Sequence, residues 1–238
     1  MVLLKFHIIL SISREHSKRG FFMSSENIIP LFPLGVVLLP GMDLPLHIFE
    51  ERYKKLIGEC IEREQEFGVV YYSGKMMLRV GCTAEISRVL KSYENGKLDI
   101  LTTGMRRFHI EELFESKPYI EARVEFIRDA EEIDDDTMKS LIQKGTESLR
   151  QLYRINEDSE RKNNDISQMT PEELSFYIAS THGFTLDEQQ QFLEMRSTRE
   201  RLQKGIESLQ KIIERLRLSK EIKRIFGRRD DQGEITPM

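Results

Sequence analysis

The side chains able to do proton, metal or covalent chemistry are few in this chain, and they are scattered. The five histidines are His7, His16, His47, His109 and His182. None pairs with a carboxylate motif at the i, i+4 helical spacing that would hold zinc. Cys60 and Cys82 fall on apolar faces of periodic segments, so they read as buried thiols rather than nucleophiles. A phosphate loop needs Gly, four residues, then Gly-Lys-Ser/Thr, so that amides wrap the phosphates. Residues 68–76 come near it, but five residues separate Gly68 from Gly74-Lys75, and Met76 cannot hold magnesium. The spacer Val69-Val70-Tyr71-Tyr72 has the composition of a strand. No Gly-x-Ser-x-Gly elbow is present for a serine nucleophile. The acids Asp129, Glu131, Glu132, Asp134, Asp135 and Asp136 could meet a cation, but they lack the glycine turn of a calcium loop. Set ahead of a helix, they suit its positive end. The pattern is that of a binding module with no engine, and neither a cofactor nor a metal is expected.

Composition narrows the class further. Of 238 residues, 39% are hydrophobic and 32% charged, with 13 Phe and 7 Tyr to fill a core. This is globular and long enough for one to two domains. The formal net charge of −4 gives no general attraction to nucleic acid or anionic membrane. Two cysteines make no disulfide framework, and cytoplasmic, reduced thiols are the expectation. The apolar stretches within residues 1–22 are interrupted by Lys5 and His7 and fall short of the roughly 20 residues of a membrane span. They also lack the small-residue cleavage pattern of a signal peptide. Residues 1–27 read as an N-terminal extension, disordered or from an over-assigned start, and 227–238 as a disordered tail.

Between these ends lie two differently patterned parts. In residues 28–127, Pro30, Pro33, Pro40 and Pro45 forbid a helix and a long central strand, so short extended pieces are expected first. Phe49, Tyr53, Leu56, Ile57, Cys60 and Ile61 recur at helical spacing and predict one helix over 48–64. Beyond it the period is two, over 69–72, 78–86, 98–100, 108–110 and 120–126. Asn95-Gly96 marks a hairpin, and Gly104 a break in the chain. A mostly antiparallel, small barrel-like sheet follows.

Residues 128–226 read as a linker and then helices. Met138, Leu141, Ile142, Leu149, Leu152 and Tyr153 share one face, and 156–169 form a polar, mobile loop. Thr170-Pro171-Glu172-Glu173 is a capping box with proline at the first helical position, and His182-Gly183 closes that helix. Thr185 to Glu188 and Ser197 to Glu200 are further capping boxes. The last opens a helix to about Phe226, whose seam of Leu202, Ile206, Leu209, Ile213 and Leu216 predicts packing against neighbours rather than a free coiled coil. Charge is segregated: residues 111–136 hold eleven acids and three bases, and 199–226 nine bases and four acids. The two segments could pair within a molecule or between molecules.

Residues 30–53 read Pro-Leu-Phe-Pro-Leu-Gly-Val-Val-Leu-Leu-Pro-Gly-Met-Asp-Leu-Pro-Leu-His-Ile-Phe-Glu-Glu-Arg-Tyr. This ordered run resembles the opening of the Lon protease N-terminal domain. Thr103-Gly104-Met105-Arg106-Arg107-Phe108-His109-Ile110 resembles the family's Gly-x-x-Arg-Phe-x-Ile. Phe192-Leu193-Glu194 through Arg199-Glu200-Arg201-Leu202 resembles its Leu-Leu-Glu…Glu-Arg-Leu. The resemblance spans residues 28–226. It implies an α+β fold: a PUA-like antiparallel β pseudobarrel with one helix over 28–127, then a C-terminal α-helical bundle over 128–226. The chain resembles the stand-alone bacterial members without ATPase and peptidase domains, so neither ATP hydrolysis nor peptide cleavage is implied.

The candidate partner-binding or motif residues are Phe32, Pro33, Pro40, Gly41, His47, Phe49, Glu50, Arg52, Tyr53, Gly104, Arg107 and Phe108. Pro33 and Pro40 stiffen the run, Gly41 permits a turn, and Phe49 and Tyr53 anchor the helix on the sheet. His47 is a local hydrogen-bonding residue, Glu50 and Arg52 pair locally or meet a partner, and Arg106 or Arg107 braces a turn. The leading expectation is a non-catalytic module that binds unfolded or partner polypeptides through apolar surface near the cleft between the two parts. An enzyme, such as a hydrolase, with an unrecognised cleft site is the alternative, and RNA binding by a PUA-like sheet a third. The sequence leaves the oligomeric state open.

Overall fold

Period-two hydrophobicity punctuated by turn residues produces six strands before residue 127. The computed structural model describes residues 27–156 and 166–226. The expectations for the N-terminal extension, for most of the polar loop and for the tail lie outside the described residues. The strands are β1 (Ile28–Leu34), β2 (Asp43–Ile48), β3 (Phe67–Tyr72), β4 (Met77–Ser92), β5 (Leu98–Phe114) and β6 (Glu121–Phe126), with helix α1 (Glu51–Arg63) between β2 and β3. They form one sheet in the order β2-β5-β4-β3-β1-β6, and β6 also pairs with β5, so the order returns on itself. The fold is α+β, as expected. Pairing is antiparallel except between β1 and β3, which are parallel. The chain passes through β2 and α1 between them, the kind of crossover that parallel neighbours need.

The prolines find positions where a missing N–H is tolerated. In β1, Ile28 to Pro30 pair with β6, whereas Leu31 to Leu34 pair with β3. Each proline therefore has a sheet neighbour on one side only, which accommodates the lost donor. Just before β2, Met42 accepts the Gly104 N–H at 2.9 Å. By alternation, residues 44, 46 and 48 also bond β5, and 43, 45 and 47 face outward. Pro45 thus removes a donor from the free edge of the sheet and blunts it against further pairing. The Asn95-Gly96 turn joins β4 to β5 as expected, with Gly96 at φ +77.

Helix α1 begins later than the predicted residue 48. Glu50 is its N-cap in extended conformation (φ −74, ψ 136), so Phe49 lies outside the helix. Tyr53, Leu56, Ile57 and Cys60 bury the apolar face of α1 against Phe32, Phe67, Val69 and Ile100. Burial raises the Cys60 thiol to about 11 and pushes Cys82 higher still. Both thiols should resist maleimide at neutral pH in the native protein and label only after unfolding, as mass spectrometry would show.

Four helices follow among the described residues: α2 (Asp136–Asn156), α3 (Pro171–Ala179), α4 (Leu186–Glu194) and α5 (Thr198–Phe226). The capping boxes at Thr170 and Thr185 are complete. The third is half-built. Ser197 Oγ accepts the Glu200 N–H at 3.0 Å, but the Glu200 carboxylate pairs with Lys204. Glu132, from the linker, instead accepts the Arg199 N–H at 2.9 Å. Helix α3 ends at Ala179, before the expected His182-Gly183, although Gly183 does adopt a positive φ of +114. The α5 seam packs Leu202, Ile206, Leu209 and Ile213 against Leu149 and Leu152 of α2 and Leu174 and Ile178 of α3. Packing against neighbours is what the short seam predicted.

Candidate functional site

The run at residues 30–53 folds so that its apolar and polar members meet in one place. β1, the end of β2 and the start of α1 converge on a groove of about 610 Å³. Phe32, Pro33, His47, Phe49, Glu50, Arg52 and Tyr53 all line it. Its floor is packed: the Phe32 and Tyr53 rings lie 4.1 Å apart, and the Arg52 guanidinium covers Tyr53 at 4.5 Å. Burial raises the Tyr53 phenol. Its rim is apolar and open, with Phe49 at 56% exposure, Tyr72 at 42% and Leu113 at 41%.

The exposed Phe49 is held in place. Its ring stacks on His47 at 5.9 Å, and the Tyr93 ring meets His47 edge-on at 6.0 Å. The His47 Nδ1 lies 2.6 Å from Asp99 Oδ1, and Tyr93 donates to Asp99 Oδ2 at 2.7 Å. Hydrogen bonds from His47 and then Tyr93 hold the Asp99 carboxyl below its usual range. A chain of contacts from Asp99 through His47 thus fixes an aromatic side chain in solvent. Phe49 is a groove rim, not the helix anchor its spacing suggested, whereas Tyr53 is buried with Leu56, Ile57 and Cys60. Local pairing of Glu50 with Arg52 is found at 2.8 Å.

The other five candidates lie elsewhere. Phe108 is fully buried with Leu31, Val70 and Ile110. Gly104 does not break the chain but sits inside β5. Gly41 makes the expected turn at φ +76, beside Pro40. Arg107 reaches the short connection between α4 and α5. It leaves β5 buried and donates to the carbonyls of Leu193 and Met195 and to Asp129. Its neighbour Arg106 pairs at the surface with Glu66, at 3.0 Å.

The family model described as the ATP-dependent protease La (LON) substrate-binding domain matches residues 28–211. The chain belongs to this family. A Lon protease of Cytophaga hutchinsonii is 25% identical over 210 residues, which are 82% of this chain and 26% of that protein. A Lon protease of Geobacter metallireducens is 28% identical over 211 residues, 83% of this chain and 25% of that protein. The chain thus spans about a quarter of the length of the relatives it matches, within their substrate-binding region. Two solved structures share the fold. The N-terminal domain of Mycobacterium avium complex Lon protease has a TM-score of 0.64 at 18% identity, covering 77% of this chain and 98% of that one. A Lon N-terminal domain protein from Xanthomonas campestris has a TM-score of 0.59 at 22% identity, covering 74% and 95%.

Within this Lon substrate-binding domain, the junction between sheet and helices holds a second pocket, of about 660 Å³. Arg106, Glu131, Glu132, Asp134 and Glu172 line it, so it is far more charged than the groove. Beneath it lies a cluster that sequence reasoning missed. Asp129 meets both Arg107 and Arg201, and Arg201 is fully buried with its guanidinium 3.9 Å from the Phe176 ring. The Glu-Arg-Leu motif contains Arg201, but arginine is so seldom buried that nothing in the motif marks it as a core residue. Among the described residues, no helix is long and apolar enough to cross a membrane.

Proposed function

We propose that this chain is a non-catalytic protein-recognition module of the cytoplasm that holds unfolded, apolar polypeptide segments in the groove under Phe49. The family match supports substrate recognition, and the share of the Lon proteases that the chain covers is their substrate-binding region. In this reading the self-closing sheet is a PUA-like pseudobarrel that presents the groove, and the helices are a bundle that braces it. One observation carries the choice of site. A large aromatic ring is kept more than half exposed by a stack on His47, which is itself tied to Asp99. A pre-positioned ring loses little freedom when a ligand covers it, which favours affinity. The groove is also less charged than the junction pocket, and extended chains expose apolar side chains that need such a surface.

The test is titration of the fluorescently labelled chain with a carboxymethylated, permanently unfolded globular protein and with its native counterpart. Saturable binding of the unfolded form alone is expected. Phe49→Ala should weaken it about tenfold, within the range for truncating an interface aromatic, with an unchanged melting temperature. Absence of saturable binding, or equal binding by Phe49→Ala, would refute the assignment.

A further inference from the structure

Among the described residues, the segregated acidic and basic segments meet at the start of α5. At the start of α5, Arg199 pairs with Asp135 at 3.1 Å and donates to the Ile133 carbonyl at 3.0 Å. Arg215 and Ile222 lie 16 and 23 residues further along the same helix, about 24 and 35 Å away at 1.5 Å per residue. That is several Debye lengths at physiological salt, and neither Lys211 nor Arg215 pairs with an acid of the linker.

That half carries a face of its own. Lys211, Arg215, Leu218, Ile222 and Ile225 recur at spacings of four and three, and all are exposed. The three apolar members are each at least 54% exposed. Leu218 follows Leu209 by nine residues, half a rotation at 100° per residue, so this face is opposite the buried seam. Lys211 and Arg215 have no acidic partner among the described residues.

The linker offers the complementary shape and charge. Ile133 is 79% exposed, between Glu131 and Asp134, which pair with no base among the described residues. The ridge is rigid: Ala130 N–H bonds the Arg196 carbonyl at 2.8 Å, and Glu132 is tied to Ser197 and the Arg199 N–H. An aliphatic side chain fixed in solvent between two unpaired acids matches an aliphatic stripe continued by two unpaired bases.

We propose that a second copy of this chain covers both surfaces. The Lys211–Ile225 face of each copy docks on the Ile133 ridge of the other, across a twofold axis. One such contact is small, but the reciprocal pair doubles the buried surface toward the roughly 1,200 Å² of a specific interface. Reciprocity also closes the assembly at two copies instead of a filament.

Sedimentation equilibrium of the full chain tests this. A dimer is expected at low salt, at least tenfold weaker when salt is raised. Ile222→Glu and Ile133→Asp change exposed side chains and should each give monomers with unaltered circular dichroism. Lys211→Glu with Arg215→Glu should give a monomer, as should Glu131→Lys with Asp134→Lys. Mixing those two double variants should restore a dimer, because both contacts of the mixed pair are then complementary. A wild-type monomer at about 100 µM in low salt, a dimer indifferent to Ile222→Glu, or no rescue on mixing would each overturn the proposal.

Discussion

Asp129→Ala should destabilise the protein by about 3–5 kcal/mol, the range for removing one partner of a buried ion pair, and lower the melting temperature by roughly 10 °C. The carboxylate is the single acid shared by two buried guanidiniums, Arg107 at 2% exposure and Arg201 at 0%. It also accepts from Thr198. Arg201 is further committed to Ser175 Oγ at 2.7 Å and the Met195 carbonyl at 3.0 Å. Without Asp129, two buried cations lose the carboxylate that pairs with both of them. Arg107 stands on β5 and Arg201 on α5, so the loss falls on the seam between sheet and helices. Hydrogen exchange should rise first in α3 to α5, ahead of β3 to β5. Burial alone would raise the Asp129 carboxyl, but hydrogen bonds from Arg201 and Thr198 and the charges of both arginines hold it below the usual carboxylate value. The sign follows: this stabilisation is complete above the unfolded aspartate value near 4 and disappears as pH falls through the lower folded value. Wild type should therefore lose stability more steeply than Asp129→Asn on acidification below about pH 4. A near-neutral Asp129→Ala, or parallel acid profiles for wild type and Asp129→Asn, would refute this account.

What sequence made legible divides by the range of the interaction. Features set within a few residues were readable: the Asn95-Gly96 hairpin, the Thr170 and Thr185 capping boxes, the Glu50–Arg52 pair; His47, expected to bond locally, instead meets Asp99, 52 residues away. Features set by meetings across the chain were not. Phe49 sits four residues before Tyr53, the spacing of a shared helical face, yet the extended backbone of Glu50 excludes it from α1. The parallel β1–β3 pair leaves no mark in either strand, because alternation reports which face is buried and not which neighbour lies beside it. Asp129 stood within an acidic run that resembled a solvated linker. Its role depends on two distant arginines, Arg107 22 residues upstream and Arg201 72 residues downstream. The motif at residues 30–53 located the groove because its residues lie together in sequence. The five candidates outside the groove belong to the turn at 40–41 or to the core around β5.

Gly104→Ala should lower stability by about 3 kcal/mol, at the upper end of what overpacking does, although alanine adds a single carbon. Its Cβ would lie 2.2 Å from the Leu39 carbonyl oxygen and 3.1 Å from Leu38 Cγ. The obstacle is largely backbone, so no rotamer change relieves it. The segment is fastened at this same residue: Gly41 donates to the Gly104 carbonyl at 2.8 Å, and Gly104 donates to Met42 at 2.9 Å. Moving it breaks these bonds and withdraws the buried Leu38 and Leu39 from the core. Gly41→Ala is the control, because it sits in the same turn but has open space around its Cβ. Its φ of +76 makes the penalty one of backbone strain alone, about 1–2 kcal/mol. Urea unfolding of both variants separates the mechanisms. The displaced segment leads directly into β2, which delivers His47 and then Phe49 to the groove. Gly104→Ala should therefore weaken capture of unfolded chains more than Gly41→Ala when both are compared well below their melting temperatures. If Gly104→Ala costs no more than Gly41→Ala, the close approach of the 38–42 segment to β5 is not what holds the groove in place.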